Sequence, residues 1–183
     1  MMATNFPTSL DSLTNPAAGD SLSSPSHSAQ HANINDAMEA VQTKLGTGAG
    51  TIGTWTSYTP TLTNWTLGNG SIVARYARVQ NFVMVTCDIT TGTTTSVTGT
   101  GMAISLPVTA ASGRINATLG PVWFYDGTNQ YFGLVSGVDT TKVMFNVMNS
   151  AGTYVGITYT TSTTPFTWNA VRSVYMTFIY EGS

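Results

Sequence analysis

From Trp55 onward the chain keeps returning to a two-residue rhythm, an apolar side chain alternating with a polar or small one. The clearest run is Phe82-Val83-Met84-Val85-Thr86-Cys87-Asp88-Ile89, which places Val83, Val85, Cys87 and Ile89 on one side. Successive side chains of a strand point to opposite faces, so this rhythm restricts the region to half-buried β-strands. Turn-forming groups interrupt it about every 8–12 residues, the spacing of an all-β sandwich or barrel. Leu67-Gly68-Asn69-Gly70-Ser71, Gln80-Asn81, Asp126-Gly127 and Ser150-Ala151-Gly152 are the main ones. Strands are predicted over 58–63, 72–79, 82–89, 102–106, 114–118, 122–125, 130–136, 142–148, 154–159 and 172–180. The Thr/Gly/Ser run 90–101 reads as a solvent-exposed loop, and Pro60 marks an edge or a first strand position. In the last strand Val174, Met176, Phe178 and Tyr180 face one way, while Val171, Tyr175 and Ile179 face the other. A strand that is apolar on both faces needs cover on both, which a subunit interface would supply. The expected fold is mainly β: an extended N-terminal arm and a short coiled-coil helix, then a jelly-roll-like antiparallel β-sandwich over 58–183.

Upstream the period changes. Within a helical segment assigned to 27–46, Ile34, Met38, Val41 and Leu45 follow a 4-3-4 spacing. That is the narrow seam of a coiled coil, not the wider stripe of a helix lying on a globular core. Asn33 or Asn35 is expected to cap this stretch, with Asp36 and Glu39 in its first turn, Lys44 in its last and Gly46 as the stop. Isolated helices shorter than about 12–15 residues are marginal in water, so two heptads need outside support. One arrangement brings sister copies together around an axis, as a homo-oligomer and most simply a homotrimer. The other folds the stripe back on the chain's own β-domain.

Residues 1–26 are rich in Ser, Thr, Asn, Asp and Pro, with Phe6, Leu10, Leu13 and Leu22 spaced among them. Such a segment builds no core alone; apolar anchors in a Pro-punctuated polar chain describe an arm that orders on a partner surface. His27 and His31 stand four apart and would share a helix face, a spacing able to hold a metal. No cysteine or nearby carboxylate supports that use, so no metal is assigned and the pair is expected to cap or hydrogen-bond at the junction. Residues 47–57 read as a Gly/Thr linker.

Charged residues make up only 8% of the chain, whereas 42% are hydrophobic. Thr outnumbers all charged residues together, so solubility rests on uncharged polar groups. That surface suits a dense assembly or life outside a cell. The net charge of −2 leaves no basic patch, which argues against nucleic acid as a partner. Cys87, the single cysteine, excludes an intrachain disulfide and reads as an inert core thiol. No apolar run reaches the roughly 20 residues of a membrane span. The first residues lack the basic and apolar regions of a secretory signal, which predicts synthesis and assembly in a cytoplasm.

Catalysis has little to draw on. Both histidines precede the β-domain, so no Ser-His-Asp or Cys-His constellation arises within it. Asp126 and Asp139 sit at turns, and no phosphate loop or zinc spacing is present. The expectation is a non-enzyme without cofactors. Aromatic side chains at Trp65, Trp123 and Tyr125 offer stacking platforms for sugar rings, with Tyr131 and Trp168 further candidates. The competing assignment has Phe124 filling the core while Trp123 and Tyr125 cover a subunit contact.

Several blocks resemble known proteins. Phe6-Pro7-Thr8-Ser9-Leu10-Asp11-Ser12, Asn15-Pro16, Ser24-Pro25-Ser26-His27, Gln30-His31-Ala32-Asn33 and Asn35-Asp36-Ala37-Met38-Glu39-Ala40 look like the N-terminal attachment segment of tailed-bacteriophage virion proteins. Trp55-Thr56-Ser57-Tyr58-Thr59-Pro60-Thr61-Leu62, Leu67-Gly68-Asn69-Gly70 and Ala74-Arg75-Tyr76 are similar to the β-rich tips of phage fibres. The resemblance covers about half of the chain and implies a non-enzymatic component of the virion surface. In it, an arm fixes the protein to a capsid or tail structural protein, a short coil sets threefold symmetry, and a β-tip projects. The absence of a long shaft favours a capsid decoration or head fibre over a minor tail protein or tail fibre that recognises host-surface glycan.

Overall fold

The computed structural model describes residues 19, 21, 23, 26–45, 53–112, 116–150, 152–168 and 171–183. They belong to two compact units, 1–54 and 55–183. The expected anchors Phe6, Leu10, Leu13 and Leu22 lie outside the described residues, as does the linker from 47 to 52.

Among the described residues of the first unit there is one helix, α1 (His27–Leu45), 19 residues long. It does not begin at Asn33 or Asn35. Ser26 is the cap: its hydroxyl accepts the Ala29 N–H at 3.4 Å and its carbonyl accepts the Gln30 N–H at 3.0 Å. Behind it, Ala29, Gln30 and Ala32 are good helix formers, so nothing interrupts the helix before the expected cap. Asn33 and Asn35 are therefore interior, and Asp36 and Glu39 fall in the middle of the helix instead of in its first turn.

The second unit is mainly β. Its strands are β1 (Thr56–Tyr58), β2 (Leu62–Thr63), β3 (Trp65–Thr66), β4 (Ser71–Val79), β5 (Phe82–Thr90), β6 (Ser96–Val97), β7 (Ala103–Ser105), β8 (Thr118–Tyr125), β9 (Gln130–Gly137), β10 (Lys142–Asn149), β11 (Gly156–Tyr159) and β12 (Ser173–Glu181). Ten of them form one curled antiparallel sheet in the order β1-β4-β5-β12-β8-β9-β10-β7-β2, with β11 paired to β10. The remaining two, β3 and β6, make a short ribbon. Tight hairpins join β4 to β5 and β8 to β9, while β12 enters late in sequence to lie between β5 and β8.

The alternation in the sequence decides which face is inside. Val83, Val85, Cys87 and Ile89 of β5 are buried, as are Val174, Met176, Phe178 and Tyr180 of β12. Val122, Phe124, Val135, Val143 and Phe145 join them from the next three strands. Each such side chain, fully buried, contributes roughly 1.5–3 kcal/mol. The segment 160–168 closes the core with Phe166 and Trp168, whose ring centroids are 4.7 Å apart, and Trp168 meets Phe124 at 6.1 Å.

Three local expectations change. The run 90–101 is not an open loop, since it contributes β6, and Thr91 and Thr95 are buried. The Thr95 hydroxyl donates to the Leu67 carbonyl at 2.6 Å and accepts the Gly92 N–H at 2.8 Å. Threonine can be buried there because its hydroxyl is satisfied. No strand separate from β8 appears at 116–118, while 113–115 are outside the described residues. Asn116 takes a left-handed φ of 62° and donates its N–H to the Gly137 carbonyl, which turns the chain just before β8. The run 58–63 is divided into β1 and β2 around Pro60, a residue that cannot donate to a ladder.

Candidate functional site

Three surfaces carry unusual features, and the first is on the helix. Ile34 and Met38 are each 54% exposed and Val41 is also exposed, so the seam stands uncovered in the single chain. The covered side is a different one, with Asn33 buried and Ala29, Ala37 and Ala40 half-buried. Because the helix begins at His27, the seam is longer than the apolar residues alone indicate. Counting back from Ile34 by three and then four reaches His31 and His27, which continues the same 4-3 alternation. Both histidines are exposed, their Nε2 atoms lie 3.1 Å apart, and one ring donates a hydrogen bond to the other. The rings meet edge to face at 4.4 Å. Side-chain burial for Leu45 is outside the described residues.

The second surface is the outer face of the curled sheet. Tyr175 of β12 is paired with Trp123 of β8, which is paired in turn with Phe132 of β9. Trp123 is 45% exposed and packs edge to face on Phe132, centroids 5.0 Å apart. Ile179 and Phe82 extend this apolar surface, while Tyr125 donates its hydroxyl to the Gly127 carbonyl at 2.7 Å. Phe124 points the other way into the core, as the alternation requires. The other expected platforms are internal: Trp65 is only 3% exposed and donates its indole N–H to the Ala103 carbonyl at 2.9 Å. Its ring is a core element beside Phe145, so it offers no stacking face; Trp168 is likewise buried.

The third is a cleft of about 350 Å³ beside β9, β10 and β11. Ser136 and Asn146 line it with Asn116 and Thr158, together with Met144, Ile157 and Tyr159. No charged side chain is among them. The Asn146 amide donates to the Ser136 hydroxyl at 2.9 Å, but its buried carbonyl oxygen has no hydrogen-bond partner. Leaving such an acceptor unpaired costs about 1–3 kcal/mol. Composition gave no sign of this cleft, because its polar floor comes from two positions that only the β9–β10 pairing brings together.

The acidic residues considered for chemistry serve turns. Asp126 Oδ1 accepts the N–H groups of Thr128 at 2.8 Å and Asn129 at 2.6 Å, and Oδ2 accepts the Tyr131 hydroxyl at 3.0 Å. These bonds, with the Asn129 N–H first, hold its carboxyl below the usual range at about 2. Asp139 accepts from the Thr141 N–H and hydroxyl and pairs with Lys142 at 3.2 Å. Cys87 is a buried thiol whose ionisation desolvation pushes up to about 12, with the Asp88 charge adding to the effect. Among the described residues, no three or more His, Cys, Asp or Glu side chains of one chain gather in a metal-binding group. No helix among them is long and apolar enough to cross a membrane. No protein-family model matches this chain, and neither the curated proteins nor the solved structures give a match.

Proposed function

We propose that this chain is a non-enzymatic structural protein of a bacteriophage virion. In this reading it is a homotrimeric capsid decoration or head-fibre projection, displayed on the particle surface and assembled in the host cytoplasm. The arm 1–26, through Phe6, Leu10, Leu13 and Leu22, fixes it to a capsid structural protein. Ile34, Met38, Val41 and Leu45 join three copies, and the curled sheet forms a jelly-roll-like tip. The observation that carries this reading is the uncovered seam on a 19-residue helix. An apolar stripe left in water is unfavourable, and closing three stripes on one another would remove that cost. The exposed face around Trp123 and Tyr175 gives a second apolar surface for sister copies to cover. The uncharged polar composition suits a particle surface, and the phage-like blocks of the sequence point the same way. Deleting residues 1–26 tests it: particle association should be lost while a folded, soluble trimer remains. A truncated protein that still binds particles overturns the role given to the arm.

The cleft favours a second reading, a tail fibre or minor tail protein that recognises host-surface glycan. Its lining is uncharged, and a sugar hydroxyl donating to Asn146 would pair the orphaned carbonyl. Tyr159, about half-exposed, supplies an aromatic wall there, and Trp123 and Tyr125 supply others on the outer face. Under this reading Tyr159→Ala or Trp123→Ala lowers adsorption to host cells with thermal stability unchanged. Wild-type adsorption by both variants contradicts it.

A further inference from the structure

We propose that His27 and His31 form a divalent transition-metal site at the amino-terminal end of the seam, shared by three copies of the chain. The inference rests on the trimeric reading and extends it. Three observations lead to it. The helix runs unbroken through both histidines, so their side chains project from one stripe with Ile34, Met38 and Val41. Any association that brings those apolar residues to an axis brings the imidazoles to it as well. Capping, one use expected of polar groups at this junction, is already supplied by Ser26, and the hydrogen bond expected of the pair is the one between the two rings.

Two Nε2 atoms 3.1 Å apart, joined here by a hydrogen bond, are also within the span of neighbouring ligands of one ion, provided the rings turn so that both lone pairs meet at it. With metal–nitrogen bonds of about 2.0–2.1 Å they subtend roughly 95–100° at the metal, close to the right angle between adjacent octahedral ligands. One chain supplies two such donors, too few for a closed site. Three chains around an axis supply six, which completes an octahedron. Imidazole is a borderline donor suited to nickel, iron, copper and zinc, and six-coordination favours nickel or iron over tetrahedral zinc. Binding replaces the hydrogen bond between the rings; the Nε2 proton moves to Nδ1, leaving both Nε2 lone pairs to the ion.

The test uses the full chain without an affinity tag, stripped of metal with EDTA and then titrated with Ni²⁺. Calorimetry should saturate near one ion per three chains, and the melting temperature should rise with Ni²⁺ concentration. His31→Ala and His27→Ala should each abolish both effects while remaining trimers by sedimentation in EDTA. A wild-type trimer that takes up no Ni²⁺, or saturates at one ion per chain, overturns the shared site but leaves the trimer standing. Equal uptake by His31→Ala overturns it too. A monomer both in EDTA and in Ni²⁺ removes the trimeric reading and the site with it.

Discussion

Asp126 shows how much a single side chain organises in a protein with so few charges. Its carboxylate gathers two backbone N–H groups and the Tyr131 hydroxyl, and so fixes the turn between β8 and β9. The folded value near 2 lies below the ordinary carboxylate value of about 4. A depressed carboxylate stabilises the fold above the unfolded value and stops doing so as pH falls through the folded one. The turn should therefore loosen between about pH 4 and about pH 2, and not in the neutral range. The amide NMR shifts of Thr128 and Asn129 report it, with a midpoint expected near 2. Gly133 is a steric counterpart. A Cβ there would stand 2.0 Å from the Asn146 main-chain carbonyl oxygen and 2.9 Å from the Phe124 ring. Gly133→Ala should thus cost about 1–3 kcal/mol in urea unfolding, the usual cost of overpacking.

At the scale of elements, β12 carries one face buried in the core and one exposed face, the latter proposed to meet sister copies. Phe178 is buried and Phe178→Ala should lose about 3–5 kcal/mol of stability. Tyr175→Ser, on the exposed face of the same strand, should change unfolding of the isolated chain by less than about 0.5 kcal/mol. On the helix, Met38→Asp should leave the β-unit's circular dichroism intact and disperse the proposed trimer, because a charge in the seam would have no partner there. The division of β12 into two faces was legible in the sequence from its alternation. Both faces read as apolar, however, and only the burial of Val174, Met176, Phe178 and Tyr180 tells which is inside. The turns at Gln80-Asn81 and Asp126-Gly127 were legible for the same local reason. β6 was not: it is two residues long, and its burial depends on hydroxyl partners on distant segments that no periodicity records. Trp65 was misplaced because a Trp among Thr and Asn looks like a surface residue until pairing with β6 covers it. The helical segment 27–46 agrees with α1, but its cap was placed too far along because Asn33 and Asn35 have cap chemistry, and capping acts only at the helix end, here Ser26. The histidines' place in the seam was available from spacing alone, by carrying the 4-3 count past Ile34.

Over the whole molecule, the division of labour follows from where the apolar surface lies. The β-unit buries a core of its own, while the helical unit leaves Ile34, Met38 and Val41 exposed, which the proposed trimer would cover. On the proposed reading, a virion would supply such neighbours at high local concentration and so support a short coil. On the same proposal, contacts with the particle and a hydroxyl-rich surface would take the place of ionic repulsion in a chain with only 8% charged residues. Sedimentation equilibrium of the purified full chain at micromolar concentration tests the central claim most directly. The account predicts a single species at three times the chain mass of 19.3 kDa, reverting to 19.3 kDa in Met38→Asp. A wild-type protein that sediments at 19.3 kDa contradicts it.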